Sequence, residues 1–203
     1  MQLDFSGEQH YEGIVAGIDE AGRGPWAGPV VAAAVILDRD NFPAGVNDSK
    51  QLSKGKREAL FDMLMAHAQV GVGICSVEEI DEHNILGATK LAMQRAFELL
   101  PCRPDTVLID GNQPPQLPCN THAIIGGDGL CVSIAAASII AKVTRDRMMV
   151  KLAKEFPHYG WESNAGYGTR THQAGLATFG VTPHHRRSFA PIRKLLDEIK
   201  EAC

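Results

Sequence analysis

A short apolar run, Ile14-Val15-Ala16-Gly17-Ile18, ends on two adjacent carboxylates, Asp19-Glu20, and then breaks into Ala21-Gly22-Arg23-Gly24-Pro25. A run this short and this apolar reads as a buried strand. Acids at the end of a buried strand are costly unless something positive compensates them. The glycines behind them let a ligand approach the main chain closely. Side chains on a strand alternate between faces, so Asp19 and Glu20 share one site only where the strand ends or bends between them, and the glycines supply such a place. The pattern recurs. Thr106-Val107-Leu108-Ile109 finishes on Asp110-Gly111, and a further strand expected over 121–125 closes on Gly126-Gly127-Asp128-Gly129. Meeting at one sheet edge, these strand ends would put four carboxylates in a small volume. Like charges that close do not all stay ionised without cations. Hard oxygen ligands favour Mg²⁺ or Mn²⁺ over Zn²⁺, and two such ions about 3.5–4 Å apart suit phosphodiester hydrolysis. Taken singly, an acid-glycine pair reads equally as a turn.

The remaining periodicity predicts the order β-β-α-β-α-β-β-α-α-α. Strands are expected over 29–37 and 69–77, the second alternating Val70, Val72 and Ile74. A short connection implies that the first two strands form an antiparallel hairpin. A helix over 54–68 takes Ser53 as its N-cap and places Leu60, Met63, Leu64 and Ala68 on one face. A second opens at Ser76 or Glu78-Glu79 and runs to Leu100, with Asn84 and Gly87 as interruptions. A long helix over 133–156, a glycine- and aromatic-rich loop over 158–169, and helices over 170–179 and 191–201 complete the chain. The pattern implies one α/β domain over 1–203, a mixed sheet covered by helices, with a helical C-terminal part over about 133–203.

At 203 residues, 44% hydrophobic and 22% charged, the chain has the composition of a soluble globular domain. Its longest apolar runs are far short of the roughly 20 residues that cross a bilayer. Residues 1–12 are polar and carry no export pattern. Five widely spaced cysteines (Cys75, Cys102, Cys119, Cys131, Cys203) read as reduced thiols. Net charge is -4, but it is uneven: 11 Lys+Arg and 6 Asp+Glu lie from Ser133 onward, against 9 and 18 before it. That asymmetry suits cations bound in one place and phosphates in another; a solvated imbalance explains it equally. Lys142, Arg145, Arg147, Lys151 and Lys154 on one helix, and His184-His185-Arg186-Arg187, read either as a grip on a nucleic-acid backbone or as exposed charge. Tyr159, Trp161 and Tyr167 are candidates for stacking. The histidines lack zinc spacing, and no Gly-x-Ser-x-Gly elbow or phosphate-binding Gly-Lys-Ser/Thr loop is present.

Six segments together carry a family resemblance: 19–25 (Asp-Glu-Ala-Gly-Arg-Gly-Pro), Asp48-Ser49-Lys50 with Leu52-Ser53, Leu108-Ile109-Asp110-Gly111, the helix segment 133–146, Gly166-Tyr167-Gly168-Thr169, and His185-Arg186-Arg187-Ser188-Phe189. In this order they closely resemble bacterial ribonuclease HII. The resemblance implies a ribonuclease H-like fold, a mixed five-stranded sheet flanked by helices. It implies hydrolysis of RNA in RNA·DNA hybrids and incision 5′ of ribonucleotides embedded in duplex DNA, a DNA repair and replication activity of the cytoplasm. Products would carry 3′-hydroxyl and 5′-phosphate ends, because water attacks rather than the 2′-OH. By motif, Asp19, Glu20, Asp110 and Asp128 would be the catalytic acids holding two divalent ions, Mn²⁺ or Mg²⁺. The Gly22-Arg23-Gly24 main chain and Tyr167 would read the ribose 2′-OH, the group that separates RNA from DNA. Lys50, Lys142, Arg145 and Arg186 would be further substrate contacts. The chain departs from the family where Gly126, Leu130 and Ala165 stand in place of customary basic residues. No proline- or glutamine-led clamp-binding motif follows Pro191, so no sliding-clamp tail is expected, and a monomer is the expected state.

Overall fold

The computed structural model describes residues 3–201. Five strands form one sheet: β1 (Val15–Ala21), β2 (Val30–Ile36), β3 (Gln69–Cys75), β4 (Thr106–Asp110) and β5 (Asn120–Ile124). Their spatial order is β3-β2-β1-β4-β5. β1 pairs antiparallel with β2 and β2 with β3, whereas β1–β4 and β4–β5 are parallel. Parallel neighbours finish at the same edge of a sheet. The topology therefore brings Asp19 of β1, Asp110 at the end of β4 and the turn after β5 to one edge; Asp128 lies in that turn, four residues beyond Ile124, and not at the strand end that the sequence suggests.

The described residues form six α-helices, of which the first three pack on the sheet: α1 (Lys54–His67), α2 (Val77–Glu98), α3 (Val132–Glu155), α4 (Trp161–Asn164), α5 (Arg170–Phe179) and α6 (Ala190–Glu201). On one face, Ala16, Ile18, Ala32, Ala34 and Val107 pack with Ala88, Ala92, Ala96 and Phe97 of α2. On the other, Ala33 and Val35 pack with Leu60 and Leu64 of α1 and with the buried start of α3. A separate apolar cluster (Ala27, Met149, Tyr159, Trp161, Leu176, Ile192) holds the C-terminal helices to the far half of α3. No described helix is long and apolar enough to cross a membrane.

The elements differ from the sequence expectation in instructive ways. β1 does not stop near Asp19; it continues through Glu20 and Ala21, which pair with Ala32 and Val31. In β3, Val70 and Val72 are partly buried against the α1-side core, whereas Ile74 is exposed. Gly71 and Gly73 face α2. A side chain on either would run into main-chain oxygens of Ala96 and Ala92, so small size decides this face. Met63 of α1 is likewise exposed. Asn84 (φ 57, ψ 169) breaks α2, and its side chain accepts hydrogen bonds from Leu86 and Gly87 main-chain N–H groups, capping the second half; Gly87 is helical. Ser76 and Glu79 form a reciprocal cap at the start of α2. The predicted loop over 158–169 contains α4, because Tyr159 and Trp161 belong to the third cluster and are buried. The four described cysteines are free; Cys203 lies outside the described residues.

Candidate active site

Asp19 lies in the last turn of pleat of β1 and is buried; Asp110 is the final residue of β4; Asp128 sits in a 3₁₀ turn (Gly127–Gly129) between β5 and α3. One carboxylate oxygen from each lies within 4.8 Å of the others, the one cluster of three metal-ligating side chains among the described residues. Local hydrogen bonds aim them. The Gly127 N–H donates to Asp110 Oδ1 (2.8 Å), which ties the Asp128 turn to the end of β4. The Glu20 N–H donates to Asp19 Oδ1 (2.7 Å).

Strand parity separates the two adjacent acids. Because β1 runs straight through them, Asp19 joins the trio while Glu20 stands beside it. Glu20 accepts a hydrogen bond from Arg23 Nη1 at 3.2 Å. Both still line one cleft of about 350 Å³, with Gly22, Arg23, Gly24, Lys50, Asp110, Lys142, Arg145 and Tyr167.

The acids are poorly compensated by protein cations. Burial, and then the negative charges of Glu20 and Asp110, push the Asp19 carboxyl well above the usual carboxylate range. Burial also raises Glu20, against the pull of Arg23. Asp110 is raised by burial and by Asp128. Among the described residues, the one ammonium on the trio is Lys50 Nζ, which donates to Asp128 Oδ2 at 3.1 Å. A clustered, desolvated set of hard oxygens with one exposed lysine against it fits divalent cations.

The expected substrate residues divide into two groups. Tyr167 is half exposed, and its ring lies over Gly24, where an added Cβ would stand 3.2 Å from Cε1. Arg23 and Lys50 are exposed at the rim. Lys142 is half-buried and pairs with Asp146 (2.7 Å). Arg145 and Arg186, by contrast, are buried and spend their guanidinium groups on main-chain carbonyls. Arg145 donates to Ala27, Pro29 and Ala165. Arg186 donates to Gly22, Arg23, Gly28 and Pro29. They brace the turn from beneath rather than present free cations; Gly22 (φ +102) turns directly over the Arg145 side chain. Three further readings change. Arg147 pairs with Glu58 and Asp62 across α1. Tyr159 and Trp161 are core residues, and His185 is buried. Sequence reasoning passed over Ser138, whose Oγ accepts the Ser49 N–H (3.2 Å), and Arg57, which donates to the Ser49 and Leu52 carbonyls. Both hold the Lys50 loop; nothing local in the sequence distinguishes them.

A mixed five-stranded sheet carrying a carboxylate cluster at the ends of its parallel strands defines a metal-binding protein of the ribonuclease H-like fold. Ribonuclease H2 from Pyrococcus horikoshii OT3 superposes with a TM-score of 0.78 at 30% identity, covering 93% of this chain and 99% of that one. Bst-RNase HIII in complex with Mn²⁺ shares the fold, with a TM-score of 0.69 at 22% identity over 96% of this chain and 73% of that one. The chain belongs to the ribonuclease HII family, whose model matches residues 16–192. Ribonuclease HII from Jannaschia sp. (strain CCS1) is 56% identical over 197 residues, 97% of this chain and 99% of the relative. That from Ruegeria pomeroyi is 58% identical over 183 residues, 90% of this chain and 78% of the relative.

Proposed function

We propose that this chain cleaves RNA in RNA·DNA hybrids and cuts 5′ of ribonucleotides embedded in duplex DNA, with Asp19, Glu20, Asp110 and Asp128 holding two divalent ions. The observation that carries the reading is the convergence of three aspartates beside a cleft in which Asp19 and Asp110 face the Gly22–Gly24 turn and Tyr167. The Mn²⁺ complex of a structural neighbour supports the choice of metal. When bound, the ions supply a nucleophile at neutral pH and neutralise charge on the leaving oxygen. The chain's own residues do the rest. Asp19, Asp110 and Asp128 provide the hard ligands, and Glu20 adds a fourth carboxylate from the neighbouring strand position. Lys50 and Lys142 neutralise phosphate near the cut. Main-chain groups of Gly22–Gly24 and the Tyr167 ring meet the ribose at the RNA–DNA junction, so a 2′-OH is required for productive placement. Water rather than the 2′-OH attacks, which leaves 3′-hydroxyl and 5′-phosphate ends. We place the enzyme in the cytoplasm, in DNA repair and replication, acting as a monomer.

The test is a duplex DNA carrying one ribonucleotide, incubated with Mg²⁺ or Mn²⁺. A cut on the 5′ side is expected, with a 5′-phosphate on the downstream product and no product from Asp110→Asn. Cleavage without added metal, or equal cleavage of the all-DNA duplex, would sink the reading.

A further inference from the structure

Behind the cleft, the C-terminal layer buries two histidines that touch neither the acids nor the solvent. His172 and His185 are fully buried, with Tyr159 and Trp161 packed around them. Their Nε2 atoms lie 2.9 Å apart. The proton positions follow from the neighbours. An indole N–H only donates, and Trp161 Nε1 donates to His172 Nε2 at 3.2 Å. That nitrogen therefore carries a lone pair. The His172 proton sits on Nδ1, which donates to the Tyr167 main-chain carbonyl at 3.0 Å. His185 is fixed from the other side: the Thr182 main-chain N–H donates to its Nδ1 at 2.9 Å, and Thr182 Oγ1 lies at the same distance. The His185 proton is thus on Nε2 and points at His172. The donors run one way, from Thr182 through His185 and His172 to Tyr167.

Both rings are neutral in this arrangement, since a second proton on either would set two N–H groups head to head. Burial, helped by the neighbouring His172, pushes His185 down to about 3, and burial lowers His172 as well. The end of the relay is the carbonyl of the residue whose ring faces Gly24. That carbonyl also accepts the Thr169 N–H (2.8 Å), and the Tyr167 N–H donates to Asn164 (2.9 Å), so the main chain of Tyr167 is held on both sides.

We propose that His172 is a positioning residue for ribose recognition: its Nδ1–H, in the tautomer that Trp161 and His185 set, fixes the Tyr167 main chain so that its ring stands at the Gly22–Gly24 turn. The inference rests on the assignment of Tyr167 to the ribose.

The test compares two substitutions of similar size in one buried place. His172→Asn keeps an amide donor where Nδ1 stands; His172→Gln carries its amide to the Nε2 position and loses the donor toward Tyr167. At matched unfolding temperature, His172→Asn should stay within about 2-fold of the parent KM for a one-ribonucleotide duplex. His172→Gln should raise KM about 10-fold, the worth of one hydrogen bond, with kcat little changed. It should also lose preference for that duplex over all-DNA in binding. Tyr167→Ala is the control. If it loses the preference while the two His172 variants behave alike, the relay is not a positioning device and the ribose assignment stands. If Tyr167→Ala keeps the preference, the ribose assignment falls and the relay proposal with it. Should the variants fail to fold, imidazole ¹⁵N signals of the unsubstituted protein decide. The proposal requires a proton on His172 Nδ1 and on His185 Nε2, and a His172 signal that shifts with the ribonucleotide duplex but not with all-DNA. Opposite tautomers or an unmoved signal overturn it.

Discussion

Asp19 and Arg23 are four residues apart, line the same cleft, and are expected to fail differently when removed. Asp19→Asn keeps the shape and the acceptor for the Glu20 N–H but removes the charge that a divalent ion needs. Loss of a group that merely supports a metal ligand costs about 10–100-fold, so loss of the ligand itself should cut turnover by at least about 100-fold. Hybrid binding, read by fluorescence anisotropy, should be largely retained. Arg23→Ala removes an exposed guanidinium and the partner of Glu20; binding should weaken while the metal concentration for half-maximal rate changes little. A normal rate for Asp19→Asn would contradict the assignment of metal to this trio. Leu130 carries the opposite prediction. By the resemblance a basic residue often stands at this position; Leu130 is 57% exposed and sits two residues from Asp128. Leu130→Lys should tighten hybrid binding and steepen the plot of log K against log[salt] by about 0.9, one phosphate contact. An unchanged slope would place this residue away from the backbone.

At the scale of elements, the decisive fit is β3 against α2. Gly73 faces the main chain of Ala92 and Ala96 with no space for a methyl group. Gly73→Ala should therefore destabilise the fold by about 1–3 kcal/mol through overpacking, measured by denaturant unfolding, although alanine is the better residue on propensity alone. Alternation of Val70, Val72 and Ile74 marked this segment as a strand, and Val70 and Val72 do pack on the α1-side core; what it did not show is that Gly71 and Gly73 lie against α2. Hydrophobicity reports which side chains avoid water; it does not report how close a helix comes. The same limit applies to Arg145 and Arg186. As letters they read as phosphate ligands, and only the fold shows seven donor contacts ending on carbonyls of 22–29 and Ala165. Conversely, the caps at Ser53, Ser76 and Thr169 were local, because each bonds an N–H within three residues.

Over the whole molecule, two buried groups respond to pH with opposite sign. Asp19, Glu20 and Asp110 are raised in the folded state, so the metal-free protein binds more protons than the unfolded chain. Their contribution is full below the ordinary carboxylate range and is lost as pH rises through the raised values. His185 is lowered to about 3, so its contribution is full above about 6.5 and is lost as pH falls from there toward 3. Divalent ions relieve only the first. Adding Mg²⁺ should raise the unfolding temperature, by the equivalent of about 2.7 kcal/mol at 100 times Kd, and at one fixed Mg²⁺ concentration the rise should be larger at pH 7 than at pH 5. Asp19→Asn should abolish most of that rise. A metal effect independent of pH would contradict the linkage. The sequence by itself determined the strands and the family, and of the three acid-glycine ends it placed Asp110 at its strand end, because short apolar runs and fixed motifs are local signals; Asp19 and Glu20 lie inside β1, and Asp128 lies in the turn after β5. The tertiary structure alone decided which acids meet: parallel pairing of β1, β4 and β5 brings Asp19, Asp110 and Asp128 together, and strand parity leaves Glu20 at their side. It also decided which cations are free and which are braces, and it joined His172, His185 and Tyr167, since contacts between distant segments exist only once the sheet has set their spacing.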